Sequence, residues 1–195
     1  MAAIKTFDPA ELHVRTLDVF GFLNVYGDAR RELEVTVESC LTELSGVLTP
    51  RACYSEFDIK IDGDKISLGF TETRSQDLAE HLDGCKKIIL IAATVGIGAD
   101  RLISKYSVTE PSRALIMQAA GSAAIEAFLD RVSPEILAGR EGKERFSCGY
   151  GDLPLEIQKD IFLTLECEKN IGLTLTGSLL MSPTKSVTAI IGIKK

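Results

Sequence analysis

The hydrophobic positions of this chain follow two rhythms, and the switches between them mark out its elements. Over residues 28–46, Leu33, Val37, Leu41 and Leu44 recur at intervals of three and four, which predicts an amphipathic helix ended by Gly46. Ala52–Ile61 alternates apolar with polar residues and runs into Asp62-Gly63-Asp64, so a strand and a hairpin turn are expected, with Lys65–Phe70 returning as the second strand. Lys86–Ala93 (KKIILIAA) is apolar without alternation and rich in β-branched residues, which marks a strand covered on both faces. Helical spacing is expected at Ser75–Leu82, with Ser75 as cap and Leu78 and Leu82 inward, and again at Gly98–Tyr106, Pro111–Val132 and Pro154–Glu168. Asp8 with Pro9 behind it reads as one more helix start. Arg140–Arg145 reads as a polar connector, Asn170-Ile171-Gly172 as a turn, and Leu173–Leu175 and Ser186–Ile193 as strands separated by Met181–Lys185. Strands that come both in hairpins and between helices give an α+β class.

A length of 195 residues, 45% of them apolar, suits one domain. Residues 1–50 are expected to be a helical segment of it, and 51–195 its α+β core. A chain of this size buries about 70% of its unfolded surface and needs no covalent staple. The net charge of -6 argues against a nucleic-acid backbone as the main partner, because phosphate recognition wants a basic face. Five cysteines without a CxxC pair, and two histidines far from any cysteine pair, argue against a zinc or iron–sulfur site; reduced structural thiols of a cytoplasmic protein are expected. Residues 1–15 lack the apolar run of a signal peptide, and the longest apolar stretch, Ile88–Ala93, is too short to span a bilayer.

Three stretches could carry chemistry. After the apolar strand, Gly96 and Gly98 imitate a Rossmann turn, but Arg101 stands where the third glycine belongs, so an ordinary strand-to-helix turn is the favoured reading. In Arg145-Phe146-Ser147-Cys148-Gly149-Tyr150-Gly151-Asp152-Leu153-Pro154, two glycines flank a tyrosine, which requires an ordered loop. Arg145 offers a fork for a carboxylate, or else a surface ion pair with Tyr150 capping the core. On the long helix, Glu126 stands beside Ala123 and Ser122, either lining a cleft that takes an ammonium group or simply solvated.

Together these residues resemble a family. The Arg145…Gly149-Tyr150 loop is similar to the Arg-x-x-x-Gly-Tyr signature of the cobalamin (vitamin B12)-dependent methionine synthase activation domain. The run Ile171–Pro183, continuing to Ser186-Val187, resembles that family's IGV-x-LTES-x-x-M-x-P-x-x-SV stretch, and Ala123–Phe128 its Ala-Glu-Ala-rich helix. The blocks keep the family's order across residues 111–193, and the Ala92–Gly96 turn resembles short stand-alone members. The chain departs from fused members at Gly151-Asp152, where they carry Pro-x, and at Gly177, where they carry Glu. With Lys195 directly behind the last strand, the C-terminal extension that supplies one ligand contact in fused members is not expected.

The resemblance implies an antiparallel sheet with flanking helices. It implies a reactivation component of methionine biosynthesis, part of a two-component methyltransferase system, which binds S-adenosylmethionine and supports reductive methylation of cob(II)alamin held by a partner. That partner would be a cobalamin-binding methionine synthase or related corrinoid protein, with flavodoxin or ferredoxin as electron donor. Carried onto this chain, Arg145 would grip the carboxylate of S-adenosylmethionine and Glu126 would lie near its amino or ribose end. The backbone at Ser147 would meet adenine, and Gly149 and Tyr150 would shape the loop near the sulfonium and corrin face. Two other readings stay open: a module that docks on a corrinoid protein without S-adenosylmethionine, and a Rossmann methyltransferase built on Gly96 and Gly98.

Overall fold

The unbroken apolar run lies at the centre of the fold. The computed structural model describes residues 2–194. Chain order begins with β1 (Ala3–Thr6), a single 3-10 turn at Pro9–Glu11, α1 (Thr16–Leu23) and α2 (Asp28–Ser45). β2 (Arg51–Asp58), β3 (Lys60–Asp62), β4 (Lys65–Ser67), β5 (Glu72–Arg74) and α3 (Gln76–His81) follow. β6 (Lys87–Thr94) then leads into α4 (Ile97–Thr109) and the 27-residue α5 (Pro111–Leu137). The last third holds β7 (Gly142–Phe146), a 3-10 turn at Leu155–Ile157, α6 (Gln158–Thr164), α7 (Cys167–Ile171), β8 (Thr174–Leu175), β9 (Met181–Ser182) and β10 (Ser186–Ile193).

The main sheet has the order β1-β2-β6-β10-β7, and every pairing in it is antiparallel. β6 is paired along both edges by the long strands β2 and β10, and each of its faces packs against its own core. Ile89, Ile91 and Ala93 point into a core shared with α1, α2, α4 and α5. Ile88, Leu90 and Ala92 point into a second core under α3, α6, α7 and the small β3-β4-β5 sheet. Each fully buried Ile or Leu contributes about 1.5–3 kcal/mol, so two-sided burial makes this strand the anchor of both layers. The expected α+β architecture with an antiparallel sheet and flanking helices is the one observed.

Several elements differ from the sequence expectation. Residues 1–50 are not purely helical, since Ala3–Thr6 adds the edge strand β1 to the main sheet; Ala52–Ile61 is divided between β2 and β3 in two sheets; and Asn170-Ile171 ends α7, with Gly172 left-handed as its cap. Arg140–Arg145 is not a plain connector: Gly142–Phe146 forms the edge strand β7, whose charged residues suit a strand with one neighbour and a solvent side. Pro154–Glu168 is not one helix. Ile161, Leu165, Cys167 and Ile171 are all buried, yet 165 and 167 lie about 200° apart on a continuous helix. The chain breaks between α6 and α7, with Glu166 left-handed at φ 46, so that both pairs face the core. Asp8 does cap, accepting from the Ala10 N–H at 2.9 Å, but only one 3-10 turn follows; the helix proper, α1, starts at Thr16. Lys65–Phe70 pairs only over Lys65–Ser67, and β5 adds a third strand.

Candidate functional site

β7 pairs with β10 so that Arg145 stands opposite Ile191 and Phe146 opposite Ile190. Ile191 belongs to the core beneath α5, and Ile190 to the core on the other face. Strand alternation therefore sends Arg145 toward α5 and Phe146 away from it. On α5, Glu126 and Asp130 are one turn apart and share a face. The Arg145 guanidinium bridges them: Nη2 donates to Glu126 Oε2 at 2.8 Å and Nη1 to Asp130 Oδ1 at 2.9 Å. These bonds occupy two of its five N–H donors. Glu126 was legible as a candidate; Asp130 was missed, although its spacing of four from Glu126 was the available signal.

Both carboxylates line a cavity of about 650 Å³ between α5 and the N-terminal segment. α5 contributes Ala123, Glu126, Ala127, Asp130 and Arg131 to it, and the N-terminal segment Glu11, His13, Arg15, Asp18, Gly21 and Phe22. The volume falls in the range of small-molecule sites. Four carboxylates and two arginines line it, one arginine on each wall, and those arginines are themselves engaged. Arg15 forks onto Asp18, with Nη2 to Oδ1 at 2.6 Å and Nε to Oδ2 at 3.0 Å, which holds the Asp18 carboxyl below its usual pKa. Arg131 pairs with Glu135 and, at 3.6 Å, with Glu11. The small side chains of Ala123 and Ala127 leave the room that the cavity occupies. Such a lining suits a ligand of net positive charge that also carries one anionic group. A second cavity, about 790 Å³, lies against α6, α7 and β8; of its two lining lysines, Lys159 and Lys169, the latter pairs with Glu166 at 3.0 Å.

The Ser147–Pro154 loop is built as a tight double turn. The Tyr150 N–H donates to Ser147 O at 3.1 Å, the Leu153 N–H to Tyr150 O at 3.0 Å and the Gly149 N–H to Leu153 O at 2.9 Å. Gly149 and Gly151 take φ of +86 and +53. At Gly151 a Cβ would collide with the Asp77 carboxylate, so glycine is required there. Tyr150 is 60% exposed and meets Phe146 edge-on at 6.2 Å, while Phe146 contacts His81 of α3. The structure thus joins Arg145 with Glu126; among the described residues no hydrogen bond or ring contact links Tyr150 to either. Cys148 is buried under the loop, and burial pushes its thiol up to about 12, so it is inert at neutral pH.

Asp152 ties this loop to α3. Its carboxylate accepts from the Ser75 hydroxyl, from the Gln76 N–H at 2.7 Å and from the Asp77 N–H at 3.3 Å, while Asp77 accepts from the Asp152 N–H at 3.1 Å. The Ser75 hydroxyl bond, above all, holds the Asp152 carboxyl below its usual pKa. A folded-state pKa below the unfolded value of about 3.9 gives stability that is present above that value and lost as pH falls through the folded one. Asp152→Asn is therefore expected to be less stable than the parent near neutral pH, with the gap closing below about pH 4; urea midpoints across the acid range check this.

The Gly96/Gly98 turn is filled by the chain itself. A Cβ at Gly96 would strike Thr49 Oγ1, and one at Gly98 would strike the Val47 carbonyl, so both glycines serve close packing of the turn against residues 47–49. With an all-antiparallel main sheet as well, the Rossmann reading is excluded. Among the described residues there is no group of three or more His, Cys, Asp or Glu side chains placed to hold a metal ion, and no helix is long and apolar enough to cross a membrane.

No protein-family model matches the chain, and no curated protein does. Among solved structures, the chain is similar to a crystal structure of the MetH reactivation domain bound to AdoHcy. The TM-score is 0.70 at 18% sequence identity, over 98% of this chain and 78% of that one. At this identity the likeness establishes the fold.

Proposed function

We propose that this chain is a reactivation component for a cobalamin-dependent methionine synthase or related corrinoid protein, and that it binds S-adenosylmethionine in the α1–α5 cavity. The observation that carries this reading is the pair of carboxylates, Glu126 and Asp130, that lines that cavity and is bridged by Arg145, which stands beside the lining and not in it. S-adenosylmethionine carries a sulfonium, an ammonium and a carboxylate. The free N–H groups of Arg145 are suited to the carboxylate, and the acidic lining is suited to the two cations. The AdoHcy bound by the structurally similar domain supports the same ligand class.

The chemistry asks for no acid or base from this chain. The partner's corrinoid supplies the metal that accepts the methyl group, and a reductant such as flavodoxin or ferredoxin supplies the electron. This chain's share is to hold the sulfonium in line and to exclude water. One observation favours a second reading, a docking module without the ligand: Arg145 already has two carboxylate partners of its own.

Calorimetry separates the two. Saturable heat on titrating S-adenosylmethionine into the protein, alone or with a cob(II)alamin-loaded partner, is the expected result. Complex formation with the partner and no heat from S-adenosylmethionine in either arm would leave docking alone.

A further inference from the structure

Ser122 stands one turn before Glu126 on α5, and a smaller cavity of about 230 Å³ opens there. Phe22 lines both this cavity and the larger one, so the two adjoin along the helix. Leu23, Leu115, Gln118, Ala119 and Lys185 complete its walls. Lys185 lies over α5 where Gly121 offers no side chain; a Cβ at that position would come within 3.0 Å of Lys185 Cε. Its backbone is fixed on both sides. The Val95 N–H donates to Lys185 O at 3.1 Å, and the Thr184 N–H donates to Asp100 Oδ2 at 2.8 Å.

The Lys185 ammonium donates to Ser122 Oγ at 3.0 Å and makes no ion pair among the described residues. Burial disfavours its charged form and lowers its pKa from the usual lysine value, with Asp100 pulling the other way. A partly buried ammonium with one hydroxyl partner still has N–H groups to donate, and it lacks a counter-charge in contact.

We propose that Lys185, positioned by Ser122, forms a niche for the carboxylate of a ligand with a short apolar body, seated against Phe22, Leu23 and Leu115. The Ser122 hydroxyl donates to Gln118 O at 3.1 Å and so orients the ammonium without offering a donor of its own; one cation matches a monoanion, whereas a phosphate dianion would call for more donors than the niche holds. The niche lies a helical turn from Glu126, so it stands or falls independently of whether the larger cavity takes S-adenosylmethionine.

Sodium hexanoate is the probe, at constant ionic strength, with lysine labelled with ¹³C at Cε and followed by NMR. The expected result is a saturable shift of the Lys185 signal, assigned by its loss in Lys185→Met. That variant keeps the apolar stem over Gly121 and is expected to weaken hexanoate binding, read by calorimetry, at least about tenfold. Ser122→Ala, which leaves the lysine in place, is expected to weaken it less. Inorganic phosphate at equal concentration is expected not to displace hexanoate. The proposal is overturned if no signal shifts saturably, if Lys185→Met binds hexanoate as well as the parent, or if phosphate displaces it.

Discussion

Phe128→Ala is expected to lower the stability of the fold by about 3–5 kcal/mol, a large share of the 5–15 kcal/mol that typically holds a domain together. Phe128 is fully buried on the core face of α5. Its ring meets Phe7 edge-on at a centroid distance of 5.5 Å, an arrangement worth about 0.5–1.5 kcal/mol beyond the buried area. Phe7 is anchored in turn by its N–H bond to Pro50 O at 3.3 Å, and the Arg131 guanidinium covers its ring. The phenyl group therefore joins α5 to the segment that supplies Glu11, His13 and Arg15 to the cavity wall. Truncating it leaves a hole that rigid neighbours on α5 and the sheet fill only in part. Urea unfolding should show a lower midpoint with an unchanged slope, and ligand affinity should fall with it because one wall of the cavity loosens.

Arg145→Ala is expected to weaken S-adenosylmethionine binding by about 1.5–3 kcal/mol, the range for hydrogen bonds to charged groups, while leaving stability within about 1 kcal/mol. The two effects separate because the pairs that Arg145 makes are wet. The Glu126 and Asp130 side chains are 46% and 72% exposed, so solvent carries their charges when the arginine is removed. A bound ligand carboxylate would lose its fork and gain two bare carboxylates nearby. Arg145→Lys is expected not to restore affinity, since a single ammonium cannot span Glu126 and Asp130 and also present parallel donors to a third group. Calorimetry beside a denaturation curve checks both halves. Loss of stability that parallels the loss of affinity would make Arg145 a structural residue.

Much of this was legible in the sequence where one element decides its own pattern. The Lys86–Ala93 run gave the central strand because two-sided burial removes alternation. The helix over 28–46 and the Ser75 cap were equally local: Ser75 accepts from the Leu78 N–H at 3.0 Å as its position implied. What could not be read depends on partners distant in sequence. β7 carries Lys143, Glu144 and Arg145, which looks like a connector until β10 is placed beside it. α1 buries only Val19 and Phe20 and leaves Leu17 and Phe22 exposed, so it shows no apolar stripe, yet it forms one wall of the cavity. At the site, Glu126 and Arg145 were singled out from residue type and resemblance, and the fold brings them into contact. Tyr150, five residues after Arg145 in the same motif, turns to Phe146 because Arg145 and Phe146 leave opposite faces of one strand.

The most direct test of the central claim is a crystal of the protein soaked with S-adenosylhomocysteine. The account predicts density for the ligand between α1 and α5, with its carboxylate within hydrogen-bond distance of Arg145 and its amino group beside Glu126. Density seated in the α6–α7 cavity, or an empty α1–α5 cavity at saturating ligand, would contradict it.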